Sequence, residues 1–362
     1  MSIVQFKPYV KVFLNEEIKK ATLSRVWEDN FEGIVYDMND LGIFILKKIE
    51  SLCEEIVLRQ EISENFPNDI EEADEIINFL KTENYIEIIS SDYYKPDYLE
   101  KDFGRIIPLL SIFETDSINR YKIQENIMNK KIGVIGSGTM GFSVISKLVS
   151  NGIKNFVLID NDIVEKSNLT RQPLFSLKHI NKLKVEVVKQ HIEDRIEDSD
   201  VLAINKYVTK IEDLSILKDV DLIINCADDI KTSLIEKYIF ENNIPTFFGG
   251  GYIGHVGRID PLVIPGFTKC FSCNEKKLKD EFDDIGTPLK NHYKESTISS
   301  MSDFISSVLS FEVLKFLANP EKSLLLDKFL FVNFSDYSIK EIKPNNHFPT
   351  DCSICNSNSL IV

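Results

Sequence analysis

No stretch of the 362-residue chain reaches the ~18 consecutive apolar residues that a membrane span requires. The opening MSIVQFKPYVKVFL has no charged leader ahead of a long apolar core. No secretory signal is therefore expected, and the expected location is cytoplasmic, with no membrane partner. Positive charge is also short. The 42 Lys and Arg stand against 57 Asp and Glu, a net charge of −15. A general nucleic-acid binder needs a basic footprint to displace counterions, so no nucleic-acid partner is expected. A local basic pocket for a phosphate-bearing ligand remains compatible with that charge. There is no internal repeat and no long low-complexity tract. What is present, 43% apolar and 27% charged residues, is an ordinary globular balance. At ~150 residues per domain, the length suggests two or three domains.

Four of the six cysteines fall into two CxxC pairs, Cys270/Cys273 and Cys352/Cys355; Cys53 and Cys226 stand apart. In a cytosolic chain this pairing favours metal binding over a disulfide framework.

Residues 1–92 read as a small winged-helix-like α+β domain. Val10, Val12 and Leu14 alternate as in a half-buried strand, and 33–37 reads as its hairpin partner. A helix follows with Leu41, Ile45, Ile49 and Leu52 on one face and Asp40 as N-cap. A second helix covers roughly 54–64, and a third carries Ile70, Ala73, Ile77 and Leu80. A strand at 85–89 closes the domain. Residues 93–129 read as a connector. From 130 to 362 the texture is strand alternating with helix: KKIGVIGSGTMG, NFVLID, VDLIINCADD and IPTFFGGG. That predicts an α/β, Rossmann-like domain with a mostly parallel sheet and helices on both faces. The charged segment 274–297 reads as a mobile loop. Residues 298–317 read as a helix with Met301, Phe304, Val308 and Phe311 on one side.

Gly136, Gly138 and Gly141 form a GxGxxG turn between a strand and a helix. Such a turn lets backbone N–H groups approach a polyphosphate at a helix N-terminus. Asp160 ends the next strand, where an acid suits a ribose hydroxyl. This much fits NAD as well as ATP, and a bare structural turn as well as either. The segment LIDNDIVEKSNLTRQPLF narrows it. Asn168 and Arg171 are three apart and would share a face on a helical turn. Arg171 and Lys184 together can neutralise a triphosphate as charge builds on a leaving pyrophosphate. Asp228 follows a buried strand at the carboxyl edge of the sheet, where it can hold Mg²⁺; a helix N-cap is the other use for Asp228 or Asp229. Cys226 reads as a small buried residue rather than a nucleophile. The two CxxC pairs supply four thiolates for a closed tetrahedral Zn²⁺ site, against a redox dithiol as the alternative.

These residues resemble the ThiF/MoeB/HesA adenylyltransferases, which are related to the ubiquitin-activating enzymes. GSGTMG, LIDNDIVEKSNLTRQ, Lys184, NCADD and both CxxC pairs carry the resemblance, which spans about residues 100–362. The run at 249–266 and the ending CSIC are similar to the branch that adenylates the microcin C precursor peptide. The N-terminal domain is similar to PqqD-like peptide-recognition domains. The resemblance implies that Gly136, Gly138 and Gly141 line ATP and Asp160 takes its ribose. It implies that Asn168, Arg171, Gln172 and Lys184 surround the phosphates and that Asp228 binds Mg²⁺. In the family an Arg of an R-Y-x-R motif reaches the partner protomer's ATP. Here the matching segment is Asp102-Phe103-Gly104-Arg105, so the resemblance implies a homodimer with Arg105 acting in trans. Family members that pass the acyl group to a thiol carry a Cys after the first CxxC, and 274–300 has none.

The expected function is ATP-dependent adenylation of the C-terminal carboxylate of a ribosomally made precursor peptide bound by the N-terminal domain. Nucleotidylation of that peptide as in microcin C is a further implication of the resemblance. The alternatives are activation of a ubiquitin-fold sulfur carrier, a leader-binding partner that has lost catalysis, and an NAD dehydrogenase.

Overall fold

The structure, a computed structural model, describes residues 2–26, 32–115, 117–228, 230–280, 298–343 and 352–354. The chain divides into two compact units, 1–124 and 125–362. The first therefore takes in most of the 93–129 segment.

The first unit opens with strands β1 (Ser2–Phe6), β2 (Val10–Asn15), β3 (Lys20–Arg25) and β4 (Ile34–Asp37). Helix α1 (Asp40–Glu50), strand β5 (Cys53–Glu54), helices α2 (Glu55–Asn65) and α3 (Ile70–Thr82), and strand β6 (Ile86–Ser90) follow. Two three-stranded sheets result, ordered β5-β1-β6 and β2-β3-β4. Ile45 and Ile49 of α1, Leu58 and Ile62 of α2, and Ala73, Ile77 and Leu80 of α3 bury their side chains against Val4, Leu23 and Ile86. The helix spacing read from the sequence is the spacing that is buried, with two exceptions. Ile70, which opens α3, is 38% exposed. Leu52 is 63% exposed and has a φ of 56°, because α1 has already ended.

Two expectations for this unit are corrected. The partner of β2 is β3, and 33–37 pairs with β3 instead. The polar strand KATLSR buries Ala21, Leu23 and Ser24, and so lacks the large apolar alternation that marks a strand in sequence. The N-cap of α1 is Asn39, whose Oδ1 accepts from the Gly42 N–H at 2.8 Å, and not Asp40. Helices α4 (Asp97–Phe103), α5 (Ile107–Leu110) and α6 (Arg120–Met128) complete the segment, α6 crossing the division between the units. Arg120, 5% exposed, donates from its backbone N–H and Nε to Glu114 and from Nη2 to Glu87. A buried guanidinium between two acids is stable only while all three stay paired.

The second unit runs β7 (Lys131–Ile135), α7 (Thr139–Ser150), β8 (Asn155–Asp160), α8 (Lys184–Glu193), β9 (Asp200–Asn205), β10 (Leu222–Asn225), α9 (Thr232–Asn242) and β11 (Thr246–Phe248). Then come β12 (Gly251–Ile253), β13 (Val256–Ile259), β14 (Leu262–Val263), α10 (Phe271–Asp280), α11 (Ser299–Ala318), β15 (Phe329–Asn333) and β16 (Ser338–Ile342). The main sheet is ordered β14-β11-β10-β7-β8-β9 and is parallel except for its edge strand β14. Its central strands are near-continuous apolar runs, as burial on both faces demands. Ile132, Val134, Phe156, Leu158, Leu222 and Ile224 are all fully buried. The Rossmann-like expectation holds. A second, antiparallel sheet, β12-β13-β15-β16, was not legible in the sequence.

Two further expectations need correction. Residues 274–280 continue helix α10 rather than a loop, while 281–297 lie outside the described residues. Helix α11 buries Met301, Ile305, Leu309 and Val313, with Ser302, Ser306 and Ser310, and leaves Phe304 38% exposed. The buried stripe is lined with small serines that admit close packing. Ser306 satisfies its hydroxyl locally, donating to the Ser302 carbonyl at 2.7 Å.

Candidate functional site

Strand β7 ends in the glycine turn, and the packing there explains each glycine. Gly136 has a φ of +89°, and a Cβ on it would lie 2.8 Å from the Ala227 nitrogen of the neighbouring β10 turn. A Cβ on Gly141 would sit 1.9 Å from the Gly136 carbonyl oxygen, so only glycine lets α7 start this close to the strand. Gly138 is different. A Cβ there would meet nothing nearer than Gln172 Nε2 at 4.0 Å. The first and third glycines serve the fold, and the second leaves room in front of the helix N-terminus.

Asp160, the last residue of β8, braces that turn. Its Oδ2 accepts the Ser137 N–H at 2.6 Å and its Oδ1 accepts the Asp162 N–H at 2.8 Å. Burial pushes its carboxyl up, while those two N–H groups and the nearby Lys184 ammonium pull the other way. Each carboxylate oxygen keeps a second lone pair for a further donor. Lys184 opens α8, is 6% exposed, and reaches Asp162 Oδ2 at 2.6 Å. Asp162 escaped the sequence reading, although its place two residues after Asp160 was a usable signal.

The segment between β8 and α8 forms a 3-10 turn at Lys166–Thr170 rather than an α-helical face. Asn168 is buried, and its Oδ1 accepts the Glu165 N–H at 3.0 Å while its carbonyl takes the N–H groups of Arg171 and Gln172. It shapes the turn that carries those two residues. Arg171 is half-buried and donates to the Ser167 carbonyl at 3.3 Å. Gln172 is 5% exposed, and its Oε1 is buried with no partner among the described residues. The Ser137 hydroxyl in the glycine turn is buried in the same condition. Buried polar atoms are nearly always paired, so two orphans at one phosphate-type turn fit a bound polar group. A cleft of about 280 Å³ opens here, bounded by Gly138, Thr139, Phe142, Gln172, Lys147 and Asp303. Lys147 Nζ and the Ser143 hydroxyl hold the Asp303 carboxyl below the ordinary carboxylate range.

Asp228 is exposed at the carboxyl end of β10, in the loop before α9. The Cys226 thiol beside it is pushed up to about 12 by burial, with the charge of Asp228 adding to the effect. A thiol so protonated is no nucleophile at neutral pH. Arg105 belongs to the first unit and is exposed just after α4.

Three of the four paired cysteines come together. The Sγ atoms of Cys270, Cys273 and Cys352 lie within 4.8 Å of one another, and those of Cys270 and Cys352 are 3.7 Å apart. Tetrahedral zinc with Zn–S of about 2.3 Å sets sulfur–sulfur edges of about 3.8 Å, so the donor set fits that ion. Cys355 lies outside the described residues.

The ThiF family's sequence profile matches residues 105–354. The SUMO-activating enzyme subunit 2 of Dictyostelium discoideum is 30% identical over 162 residues, which is 44% of this chain and 24% of that protein. The sulfur carrier protein ThiS adenylyltransferase of Bacillus subtilis is 29% identical over 153 residues, 41% of this chain and 45% of that protein. The chain thus spans less than half the length of these two curated relatives. Among solved structures, Escherichia coli MccB with ATP superposes with a TM-score of 0.76 at 22% identity, covering 98% of this chain and 100% of the other. The fold of PaaA superposes with a TM-score of 0.71 at 17% identity, covering 93% and 99%. With the family's pattern running through most of its length, the chain belongs to the ThiF family.

Proposed function

We propose that the chain is an ATP-dependent adenylyltransferase that activates the C-terminal carboxylate of a ribosomally made precursor peptide. The observation that carries this reading is the glycine turn. Its Ser137 N–H is fixed by Asp160, and the buried, unpartnered Oε1 of Gln172 lies in the segment above it. In the reaction a carboxylate oxygen attacks the α-phosphorus of ATP, the bond to the β-phosphate oxygen breaks, and pyrophosphate leaves. The chain does no covalent work. It aligns the acid and meets the charge that develops on the phosphates. In this reading the Gly136, Gly138 and Gly141 turn receives the nucleotide and Asp160 takes the ribose. Asn168 sets the turn from which Arg171 and Gln172 meet the phosphates. Lys184 turns from Asp162 to the phosphates. The cleft beside Gly138 gives the acid terminus its approach.

Asp228 would hold Mg²⁺, which neutralises phosphate charge when bound. Cys270, Cys273, Cys352 and Cys355 would hold a structural Zn²⁺. A homodimer in which Arg105 reaches the partner's nucleotide belongs to the same reading. The support is membership in a family whose relatives include adenylyltransferases, and a whole-chain fold likeness to MccB, which has been solved with MccA. The N-terminal unit, as the peptide-recognition element, and the lack of Cys in 274–300 favour a peptide over a thiol relay.

The bacterial ThiS adenylyltransferase relative favours a second reading, activation of a ubiquitin-fold sulfur carrier. Pyrophosphate exchange separates the two. The peptide encoded beside the gene should support exchange with Mg-ATP, and a carrier ending in Gly-Gly should not. Exchange with the carrier alone would replace the first reading with the second. Exchange with neither would leave a binding protein.

A further inference from the structure

The metal knuckle is gripped by two acids that no cysteine motif announces. Glu236, on α9, is fully buried. Its Oε1 accepts the Ser272 N–H at 2.6 Å, and its Oε2 takes the Ser272 hydroxyl. Ser272 lies between Cys270 and Cys273, in the two-residue spacer that sets the bite of the pair. Asp327, in the loop before β15, holds the flanks. Its Oδ1 accepts the Lys269 N–H at 3.1 Å and the Asn274 side-chain amide at 3.4 Å. Asn274 is itself fully buried, and its N–H returns to the Cys270 carbonyl at 3.2 Å. Residues 269–274 are therefore tied at both ends by one acid and in the middle by another, from two separate parts of the fold.

A buried carboxylate costs free energy unless it is hydrogen-bonded, and Ser272 of the cysteine spacer donates to both oxygens of Glu236. Groups that orient the residues carrying metal ligands raise affinity by sparing the ordering cost on binding. We propose that Glu236 and Asp327 are positioning residues of the metal centre, holding the Cys270–Cys273 pair in its ligating shape before the ion arrives. The proposal rests on the zinc reading above. The bland competitor is that Glu236 only caps α10, whose second residue is Ser272.

The two accounts differ in where the loss appears. Glu236→Gln and Asp327→Asn, made in the full chain, are each titrated with zinc against a chromogenic chelator. Cobalt(II) titration gives the thiolate charge-transfer band as a second readout. Ser272→Ala, which removes only the hydroxyl contact, serves if the buried substitution prevents folding. Positioning predicts zinc affinity at least about tenfold weaker in Glu236→Gln and Asp327→Asn, the lower end of the range for such partners. It also predicts that the zinc-stripped variants melt within a few degrees of the stripped parent. Affinity weakened less than tenfold, or equal drops in melting temperature with and without zinc, would overturn it. A parent chain that takes up no zinc would overturn the metal reading itself, and the two failures are told apart by the parent titration.

Discussion

The glycine turn gives two substitutions with opposite signatures. Gly141→Ala places a methyl 1.9 Å from the Gly136 carbonyl oxygen, and backbone must move to accept it. Overpacking costs about 1–3 kcal/mol, and a clash with backbone belongs at the upper end. At about 2–4 °C per kcal/mol for a unit of this size, Gly141→Ala should melt about 6–12 °C lower with no nucleotide present. Gly138→Ala places its methyl 4.0 Å from the nearest atom, Gln172 Nε2. Losing glycine from the unfolded chain and gaining alanine at an N-cap nearly offset each other, so its own melting should stay within about 3 °C. In the proposed reading its methyl occupies the space that a phosphate enters. With ATP a hundredfold above Kd, the parent gains about 2.7 kcal/mol, or about 5–11 °C. If the methyl raises Kd by about a hundredfold, the gain falls to about 0.4 kcal/mol and about 1 °C. Differential scanning fluorimetry with and without Mg-ATP reads both effects. A Gly138→Ala chain stabilised as fully as the parent would refute the assignment of the cradle. A Gly141→Ala chain melting like the parent would refute the packing argument.

Lys184→Met should lower pyrophosphate exchange by about 10²–10³-fold, the range for one charge-stabilising donor, and unchanged exchange would remove Lys184 from the phosphates. Arg120→Met leaves Glu87 and Glu114 largely buried without their cation, and should cost about 3–5 kcal/mol in urea unfolding of the full chain. An unmoved first transition would show that the triad contributes nothing. Asp260 is buried, and burial pushes its carboxyl up to about 6 despite the Arg258 guanidinium. Its folded value lies above its unfolded one, so its contribution is fully present below about pH 4 and lost as pH rises through 6. Asp260→Asn should therefore flatten the stability profile, removing a decline of about 2–3 kcal/mol between pH 4 and 7. Parallel profiles for the two chains would refute the shift.

What the sequence carried well was whatever burial on two faces writes into residue type. The parallel strands β7, β8, β10 and β11 are apolar runs ended by glycine or a polar residue, and each was readable. The second sheet was not. Its strand β16, SIKEI, has four of its five residues exposed, so no alternation marks it. Strand β3 was hidden for a different reason, since the residues it buries include the small Ala21 and Ser24. At the site, motifs named Gly136, Asp160, Arg171 and Lys184, but isolated acids have no spacing to give them away. Glu236 and Asp327 make their contacts with residues distant in sequence, and only the folded chain brings those together. Asn168 was named from its motif, but its structural part, shaping the turn through the Glu165 N–H, was not legible.

Asp160 shows why a motif reading and a structural one are different statements about the same residue. In the motif it is an acid for a ribose. In the fold it ties the glycine turn to the end of β8, through Ser137 and Asp162. Asp162 in turn accepts from Lys184 and so places the first turn of α8. Three successive elements of the α/β unit are therefore fixed by one short chain of charged hydrogen bonds. The Asp160 bonds hold the turn in place before any ligand arrives, which is the physical content of a preorganised site. Loss of Asp160 would thus remove an acceptor and also release the turn that aims the Ser137 N–H. The bracing also explains why the two orphaned oxygens at this turn, on Ser137 and Gln172, are tolerated. A frame held this firmly from the strand side can keep polar atoms pointed at a site without collapsing onto them.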